Sequence, residues 1–264
     1  MRLRVDHVTR YTYDQPVRAV VQSHRLTPTR FDGQTTLDWQ VTVSDGLKGG
    51  GFRDGSGDWV QSWSILGPVS QIEVAVRGIV ETTDLTGVLR GNRESIPPVA
   101  WLAPTPPTEP DVALSELAAG VSGGDDLALA HALAAAVADA IAYRPGATDA
   151  RTTAAEALVL GEGVCQDHAH IFIAAARSAG VPARYVSGYL RLDETDDQEA
   201  GHAWAEAWLP DLGWVGFDIS NVQCPDDRYV RLASGLDYRE AAPLTGLRRG
   251  FGNESMIVTL QVQQ

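Results

Sequence analysis

The chain has 264 residues, of which 44% are hydrophobic and 21% are charged, and its net charge is −13 at pH 7. This length allows one large domain or two ordinary ones, and the composition is that of a globular protein with a substantial core. The acidic balance argues against a nucleic-acid backbone or an anionic membrane as the partner, because both attract clustered lysine and arginine.

The N-terminal residues show no targeting signal. The stretch MRLRVDHVTRYTYDQPV is interrupted by charges and lacks the apolar core of a signal peptide. No window approaches the roughly 18 consecutive apolar residues of a membrane helix. We therefore expect a cytoplasmic protein, in which Cys165 and Cys224 stay reduced instead of forming a disulfide.

Residues 1–96 have the pattern of a β-rich domain. Stretches that are rich in β-branched and aromatic residues, or that alternate apolar with polar positions, predict strands over 4–13, 37–43, 58–66 and 70–84. The glycine-rich stretch LKGGGFRDGSGD, at 47–58, predicts a hairpin loop. Short strands separated by turns favour a small sandwich-like or barrel-like sheet.

Residues 97–110, PPVAWLAPTPPTEP, mark a change of composition, since they contain six of the 14 prolines. Proline fixes φ and cannot donate a backbone hydrogen bond, so this stretch predicts an extended connector. Trp101 and Leu102 within it are expected to pack against the rest of the protein. We place a domain boundary here, with a second domain over residues 111–264.

Helix patterns come first and strand patterns last within residues 111–264. The stretch 127–143 is alanine-rich and carries leucine, valine and isoleucine at four-residue spacing, which predicts a helix, and the capping pattern Thr153-x-x-Glu156 predicts a short helix that ends at glycine. A third helix is predicted over 165–179. Strand-like segments follow: ARYVSGYLRL, HAWAEAWL, GWVGFDIS and SMIVTLQVQ. This order predicts an α+β fold in which helices pack on an antiparallel sheet.

The stretch GVCQDHAH, residues 163–170, places Cys165 beside two histidines at the start of the third helix. A metal site would need the three side chains to converge. On a helix, His168 lies about 300° and His170 about 140° around the axis from Cys165, so the two histidines point to nearly opposite sides. With no CxxC or HExxH motif elsewhere in the chain, this spacing disfavours zinc.

Cys165 is then either a buried core residue or a nucleophile. Free cysteine is among the most often buried residue types, which supports the first interpretation. Its position supports the second, because a helix start offers unpaired N–H groups and a positive partial charge that stabilise a thiolate. The same N–H groups could hold the oxyanion that forms when a thiolate attacks a carbonyl.

A nucleophile needs a base and a group that orients the base. In HAWAEAWLPDLGWVGFDIS, residues 202–220, two strands with alternating large side chains flank a turn. If Trp208 pairs with Trp214, His202 and Asp218 become diagonal neighbours on one face. An aspartate that holds one imidazole nitrogen leaves the other free to take the thiol proton. The pattern therefore allows a Cys–His–Asp triad.

At these residues the chain resembles the bacterial transglutaminase-like superfamily. The similarity lies in three blocks in the family's order: 163–190, 202–221 and 233–250. The N-terminal unit, with HVTRYTYDQPV, resembles the β-rich domain that precedes the core in such proteins. The resemblance implies a papain-like α+β core after this domain. It also implies Cys165 as nucleophile, His202 as base and Asp218 as orienting acid, with no metal or cofactor.

Two positions depart from the family's usual pattern. His168 stands where an apolar, commonly aromatic residue is usual, and Ile219–Ser220 follow Asp218 where Pro-Thr is usual. Neither change removes a catalytic group, but both can alter the substrate pocket. We predict that Gln166, Trp204 and His168 contribute to substrate binding.

The predicted activity is a cysteine-dependent acyl transfer on peptide or protein amides through a thioester, with hydrolysis as the expected outcome. Two alternatives stay open: transamidation of protein glutamine, and a non-catalytic module of the same fold that binds a protein. The acidic run DETDDQE, residues 193–199, is expected to be a solvated loop, and a role in covering the cleft or disfavouring anionic substrates stays open. The substrate, the acyl acceptor and the oligomeric state do not follow from the sequence.

Overall fold

Two antiparallel sheets, one short parallel strand pair and five α-helices form the part of the chain that the computed structural model describes, residues 1–192, 197–198 and 200–264. The strands are β1 (Arg2–His24), β2 (Gln34–Val43), β3 (Gly46–Arg53), β4 (Trp59–Thr82), β5 (Ala142–Tyr143), β6 (Glu162–Gly163), β7 (Ala183–Leu190), β8 (Asp197–Gln198), β9 (His202–Leu209), β10 (Gly213–Phe217), β11 (Tyr229–Gly235), β12 (Leu244–Arg249) and β13 (Glu254–Gln263). The helices are α1 (Val112–Ala119), α2 (Asp126–Ala140), α3 (Ala154–Leu160), α4 (Cys165–Ser178) and α5 (Tyr238–Ala241). No helix among these residues is long and apolar enough to cross a membrane.

The first sheet has seven strands in the order β2–β4–β1–β13–β8, with β3 beside β4 and β12 beside β1. It is built on two long strands, because β1 spans 23 residues and β4 spans 24. The pairing between β1 and β4 shifts register between Thr12 and Ala19 of β1, but neither strand ends there. Such irregularities bend a strand where the sequence pattern suggests a turn. The prediction of short strands is therefore wrong for β1 and β4.

The glycine-rich stretch at 47–58, predicted as a loop, contributes most of strand β3. This strand pairs with β4, with a register shift between Lys48 and Gly51. A Cβ atom at Gly51 would lie 2.4 Å from the ring of Trp59, so the glycine lets the strand lie close against that ring. From the sequence alone, a glycine that such a close approach requires looks the same as a glycine in a flexible loop.

The C-terminal strands β12 and β13 belong to the first sheet. β12 pairs with the second half of β1, and β13 pairs with the first half, from Arg4 opposite Gln263 to Tyr13 opposite Glu254. These C-terminal strands therefore share a sheet with the N-terminal strands, and among the described strands in the preceding part of the predicted second domain only the short strand β8 joins them. The division of the chain into 1–96, 97–110 and 111–264 stays a prediction, with this exception at its end.

The second sheet has four strands in the order β10–β9–β7–β11. Helix α4 packs against β9 and β7, while α1, α2 and α3 pack around α4. Every residue of α4 from Asp167 to Arg177 is buried, so this helix is the centre of the second core. The predicted α+β class, with helices packed on an antiparallel sheet, is confirmed.

Two local predictions in this region are confirmed. Helix α3 begins with a capping box between Thr153 and Glu156, and it ends at Gly161, which has a left-handed φ of 72°. In the β9–β10 hairpin, Trp208 lies opposite Trp214. This register places the side chains of both strands on the faces that the alternation predicts.

The two sheets share an apolar contact. Leu3 and Val5 of β1 belong to one buried cluster with Tyr189 of β7 and with Val230 and Leu232 of β11. The alternation along β1 therefore buries one face of the first sheet against the second. This contact fixes the first sheet relative to the strands that carry the candidate site.

The connector packs against the body of the protein, as predicted, but it is not extended throughout, because Pro98–Leu102 and Pro106–Thr108 form 3₁₀ helices. Trp101 is only 2% exposed, and its ring meets the Trp214 ring edge-on at a centroid distance of 5.9 Å. Arg177 of α4 donates a hydrogen bond to the Trp101 carbonyl at 2.8 Å. Leu102 is half-buried.

Candidate active site

Cys165 is the first residue of α4, and a buried aspartate holds the chain before it. The Asp167 carboxylate accepts hydrogen bonds from the Val164 N–H at 2.7 Å and from the Thr148 hydroxyl at 2.6 Å. A Cβ atom on Gly163 would lie 2.7 Å from the Asp167 side chain, so this turn requires glycine. These contacts determine where the helix begins and therefore where the thiol lies.

The thiol lies at a helix end that favours negative charge. The first N–H groups of a helix have no acceptor within the helix and carry a positive partial charge. In α4 these groups belong to Cys165 and Gln166, and both residues line one cavity. The helix end can therefore stabilise charge on the sulfur or on an oxygen bound beside it.

His202 and Asp218 meet at the open end of the β9–β10 hairpin. His202 is the first residue of β9, and Asp218 directly follows β10. The His202 Nε2 atom lies 2.6 Å from Asp218 Oδ2. Burial alone would raise the pKa of Asp218, but its hydrogen bonds and the charge of His202 lower that pKa to about 2. Asp218 is therefore an ionised acceptor for the Nε2 proton.

Three further residues hold the Asp218 carboxylate, and sequence reasoning assigned none of them this role. The Ser220 hydroxyl donates to Oδ1 at 2.8 Å. The Asn221 side chain and the Tyr229 hydroxyl donate to Oδ2, each at 2.7 Å. The position of Ser220 and Asn221 in the turn after Asp218 could have indicated such bonds. Tyr229 reaches the site from β11, and its sequence position carries no such signal.

His202 lies between Asp218 and Cys165. Because Asp218 holds Nε2, the Nδ1 side of the ring is left for the thiol, and Cys165 and His202 line the same cavity. Burial would lower the pKa of His202, but the hydrogen bonds and charges of Asp218 and Cys165 outweigh burial and raise that pKa to about 10. At neutral pH the ring is therefore an imidazolium, which stabilises a neighbouring thiolate and can donate a proton.

A cavity of about 280 Å³ opens beside Cys165 and His202. Tyr185 of β7 and Met256 of β13 are among its walls, so both sheets contribute to it. Most of the acidic run 193–199 lies outside the described residues, since only the backbone of β8 within it is described. The expectation that this run is a solvated loop or a cover for the cleft therefore stays a prediction.

The structure places only one of the three predicted substrate-binding residues in the cavity wall, namely Gln166. His168 is 3% exposed, and its Nδ1 atom lies 2.9 Å from the Val164 carbonyl oxygen. Trp204 is also buried, and its ring stacks on His202 at a centroid distance of 6.3 Å. Neither side chain is among the lining residues of this cavity, and a role of either in substrate binding stays a prediction.

The two histidines after Cys165 have separate surroundings, as the helical spacing predicts. His170 is buried, and its Nε2 atom accepts a hydrogen bond from the Tyr238 N–H at 3.1 Å. Burial lowers the pKa of His170 to about 4, so the ring is neutral. Within the described ranges, no group of three or more His, Cys, Asp or Glu side chains is arranged to hold a metal ion.

Comparisons with known proteins agree with this architecture. The family profile described as "Bacterial transglutaminase-like N-terminal region" matches residues 3–81, and the profile described as "Transglutaminase-like superfamily" matches residues 115–219. An uncharacterized protein of Mycobacterium leprae is 28% identical over 283 residues, which cover 99% of this chain and 98% of that protein. A Pseudomonas aeruginosa protein named protein-glutamine gamma-glutamyltransferase is 33% identical over 97 residues, covering 33% of this chain and 14% of that protein.

A solved structure has the same fold along the whole chain. It is that of a Cytophaga hutchinsonii protein, provisionally described as a cysteine protease, and it superposes with a TM-score of 0.77 at 22% identity. The match covers 100% of this chain and 90% of the other. The predicted papain-like core with a β-rich N-terminal region is therefore confirmed as the fold. The chain belongs to the bacterial transglutaminase-like superfamily and joins the family's N-terminal region to its transglutaminase-like core.

Proposed function

We propose that this protein transfers the acyl group of a peptide or protein amide to water through a thioester on Cys165. In this proposal His202 is the acid and base, and Asp218 orients it. The supporting observation is the 2.6 Å contact between His202 Nε2 and Asp218 Oδ2, beside the cavity that both His202 and Cys165 line. A nucleophile beside a base that a third group orients is the arrangement that covalent catalysis requires. The name of the Cytophaga protein of this fold agrees with such an activity.

The first half-reaction forms the thioester. The Cys165 thiolate attacks the amide carbonyl carbon, and the carbonyl oxygen takes the negative charge beside the free N–H groups at the start of α4. The C–N bond then breaks while the His202 imidazolium donates its Nδ1 proton to the leaving amine. The products are an acyl group on Cys165, a free amine and a neutral imidazole.

The second half-reaction releases the acyl group. A water molecule attacks the thioester carbonyl while His202 takes one of its protons, and the C–S bond breaks to restore the thiolate and the imidazolium. A primary amine in place of water would give transamidation, and the name of the Pseudomonas relative supports this second candidate. We favour water because the described cavity wall carries no Asp or Glu that would hold an ammonium group.

A peptide library tests the proposal directly. The wild type, Cys165→Ala and Cys224→Ala are incubated with the library, with and without a labelled primary amine, and the products are identified by mass spectrometry. We expect the wild type and Cys224→Ala to hydrolyse the same peptides, whereas Cys165→Ala gives none of these products. Cleavage by Cys165→Ala would overturn the assignment of the nucleophile. Label incorporation in excess of hydrolysis would identify a transamidase instead.

Alkylation distinguishes an enzyme from a non-catalytic binding module. We expect iodoacetamide at neutral pH to modify Cys165 at least about tenfold faster than Cys224, because Cys165 lies beside an imidazolium and a helix start. Burial, by contrast, raises the pKa of the Cys224 thiol. Peptide mapping of one sample gives both rates, and His202→Ala should bring the Cys165 rate down toward that of Cys224. Equal rates in the wild type would favour the binding module.

A further inference from the structure

One wall of the cavity beside Cys165 comes from the first sheet, not from the strands and helix that carry the candidate triad. In the register of β1 and β13, Thr9 lies opposite Val258 and Tyr11 lies opposite Met256. Side chains two positions apart on a strand share one face, so these pairs form two adjacent rows. All four of these residues line the cavity. We call this set the sheet wall.

The residues between these rows face away from the cavity. Ile257 lies between Met256 and Val258, is 64% exposed and does not line the cavity. It lies opposite Arg10, which makes an exposed ion pair with Glu73 at 2.8 Å. Strand β13 therefore presents one face to the cavity and the other to solvent.

The base of the sheet wall is fixed to the core by a neutral hydrogen-bonded chain. His7 Nδ1 lies 2.8 Å from the Tyr189 hydroxyl of β7, and His7 Nε2 lies 2.9 Å from the Thr9 hydroxyl. Burial lowers the pKa of His7 to about 4, so this histidine carries no charge at neutral pH. The first sheet is thus anchored where the cavity begins.

The described part of the cavity wall carries no charged side chain outside the candidate triad. Among its described lining residues there is no Asp, Glu, Lys or Arg, although the chain has 34 acidic and 21 basic residues. Instead, aromatic and aliphatic side chains surround it, with Tyr185 and Tyr238 facing the sheet wall from the core. Moving an apolar group from water into such surroundings lowers the free energy, whereas moving an unpaired charge there raises it.

We infer that the sheet wall is the subsite that selects the acyl donor, and that it accepts an uncharged apolar or aromatic side chain. This inference rests on the proposed acyl transfer at Cys165. The cavity has a volume of about 280 Å³ and opens beside the thiol, so a side chain next to the scissile carbonyl can enter it. The first sheet, through β1 and β13, then determines specificity by supplying a wall that the second sheet and its helices do not have.

A panel of N-acetyl amino acid p-nitrophenyl esters tests the selection. Each ester acylates the thiol and releases nitrophenolate, so the signal reports the acyl donor whether water or an amine resolves the thioester. We expect the rate constants for the Phe and Leu esters to exceed those for the Glu and Lys esters at least about tenfold. Release no faster than that by Cys165→Ala would contradict the proposed function. Rapid acylation without preference would contradict the subsite alone.

Charge substitutions on β13 supply a matched control. Met256 is 57% exposed, so Met256→Lys and Met256→Glu are compatible with the fold. We expect Met256→Lys to shift the Glu-to-Phe rate ratio about tenfold toward Glu, and Met256→Glu to shift the Lys-to-Phe ratio similarly toward Lys. Ile257→Lys and Ile257→Glu, on the solvent face, should change these ratios less than about twofold. Equal shifts from both positions, or none from Met256, would overturn the subsite.

Discussion

Asp218→Asn should lower the rate of Cys165 acylation by about 10³–10⁴-fold while the fold stays intact. The carboxylate accepts the His202 Nε2 proton at 2.6 Å, and an amide group cannot supply the same negative charge to the ring. His202 then loses the partner that fixes its tautomer and stabilises its protonated form. Ser220 and Tyr229 remain to hold the substituted side chain, so the turn keeps its position. Single-turnover release of nitrophenolate measures the acylation rate.

The pH profile of this variant separates an electrostatic role of Asp218 from a structural one. Burial lowers the pKa of His202, and the bonds and charges of Asp218 and Cys165 raise it to about 10. Without the Asp218 charge this pKa falls, so the alkaline limb of kcat/KM, which follows loss of the imidazolium, should move to lower pH. Asp211→Asn, on the exposed turn of the same hairpin, is the matched control and should leave rate and limb unchanged. If the alkaline limb of Asp218→Asn stays at the wild-type pH, the role of Asp218 is only to hold the turn in place.

Two parts of the candidate triad, the His202–Asp218 pair and the helix start that carries Cys165, were predictable because each depends on short-range structure. The approach of the two parts to each other was implied by the family resemblance and not by local patterns. Strands β9 and β10 are joined by a tight turn, so pairing Trp208 with Trp214 follows from the alternation of side chains. That pairing brings His202 near Asp218. Cys165 was placed by helix periodicity and by the glycine-containing turn before it, which are equally local signals. The α+β order of helices and strands could be read in the same way.

The surroundings of the triad were not predictable, because they depend on contacts between distant parts of the chain. Tyr11 meets Met256 only because the two ends of the chain pair in one sheet, and no local pattern selects β13 as the neighbour of β1. Tyr229 likewise reaches Asp218 from a separate strand. At Gly51, the sequence shows a glycine but not the ring of Trp59 that requires it. Tertiary approach, not local preference, determines these features.

A buried ionic cluster at the junction of the two sheets also depends on contacts between residues that are distant in the sequence. Glu206 of β9 lies between Arg184 of β7 and Arg231 of β11, with its oxygens 2.6 Å and 2.8 Å from their Nε atoms. Arg231 also pairs at 3.0 Å with Asp58, which immediately precedes β4 of the first sheet. These four side chains are each at most 3% exposed. Buried charges persist only while each is paired, so the cluster connects the first sheet to the strands of the site.

Glu206→Gln should lower the free energy of unfolding by about 3–5 kcal/mol, because it leaves two buried arginines with one carboxylate fewer. Glutamine keeps nearly the same volume, so the loss comes from charge and hydrogen bonding instead of a cavity. Urea unfolding at neutral pH measures the change. Glu73→Gln is the matched control, since its pair with Arg10 is exposed to solvent, and we expect a loss below about 1 kcal/mol. Equal losses from both variants would show that burial adds nothing to the cluster.

The pH dependence of this difference identifies its cause. Burial would raise the pKa of Glu206, but Arg231 and Arg184 lower it from 4.5 to about 2. A carboxyl whose pKa falls on folding contributes stability that is fully present above its unfolded value and is lost as the pH drops through the folded value. The difference between wild type and Glu206→Gln should therefore be constant above about pH 5 and shrink as the pH falls from about 4.5 toward 2. A difference independent of pH would mean that the glutamine acts through altered packing, and that the charge of Glu206 does not stabilise the junction.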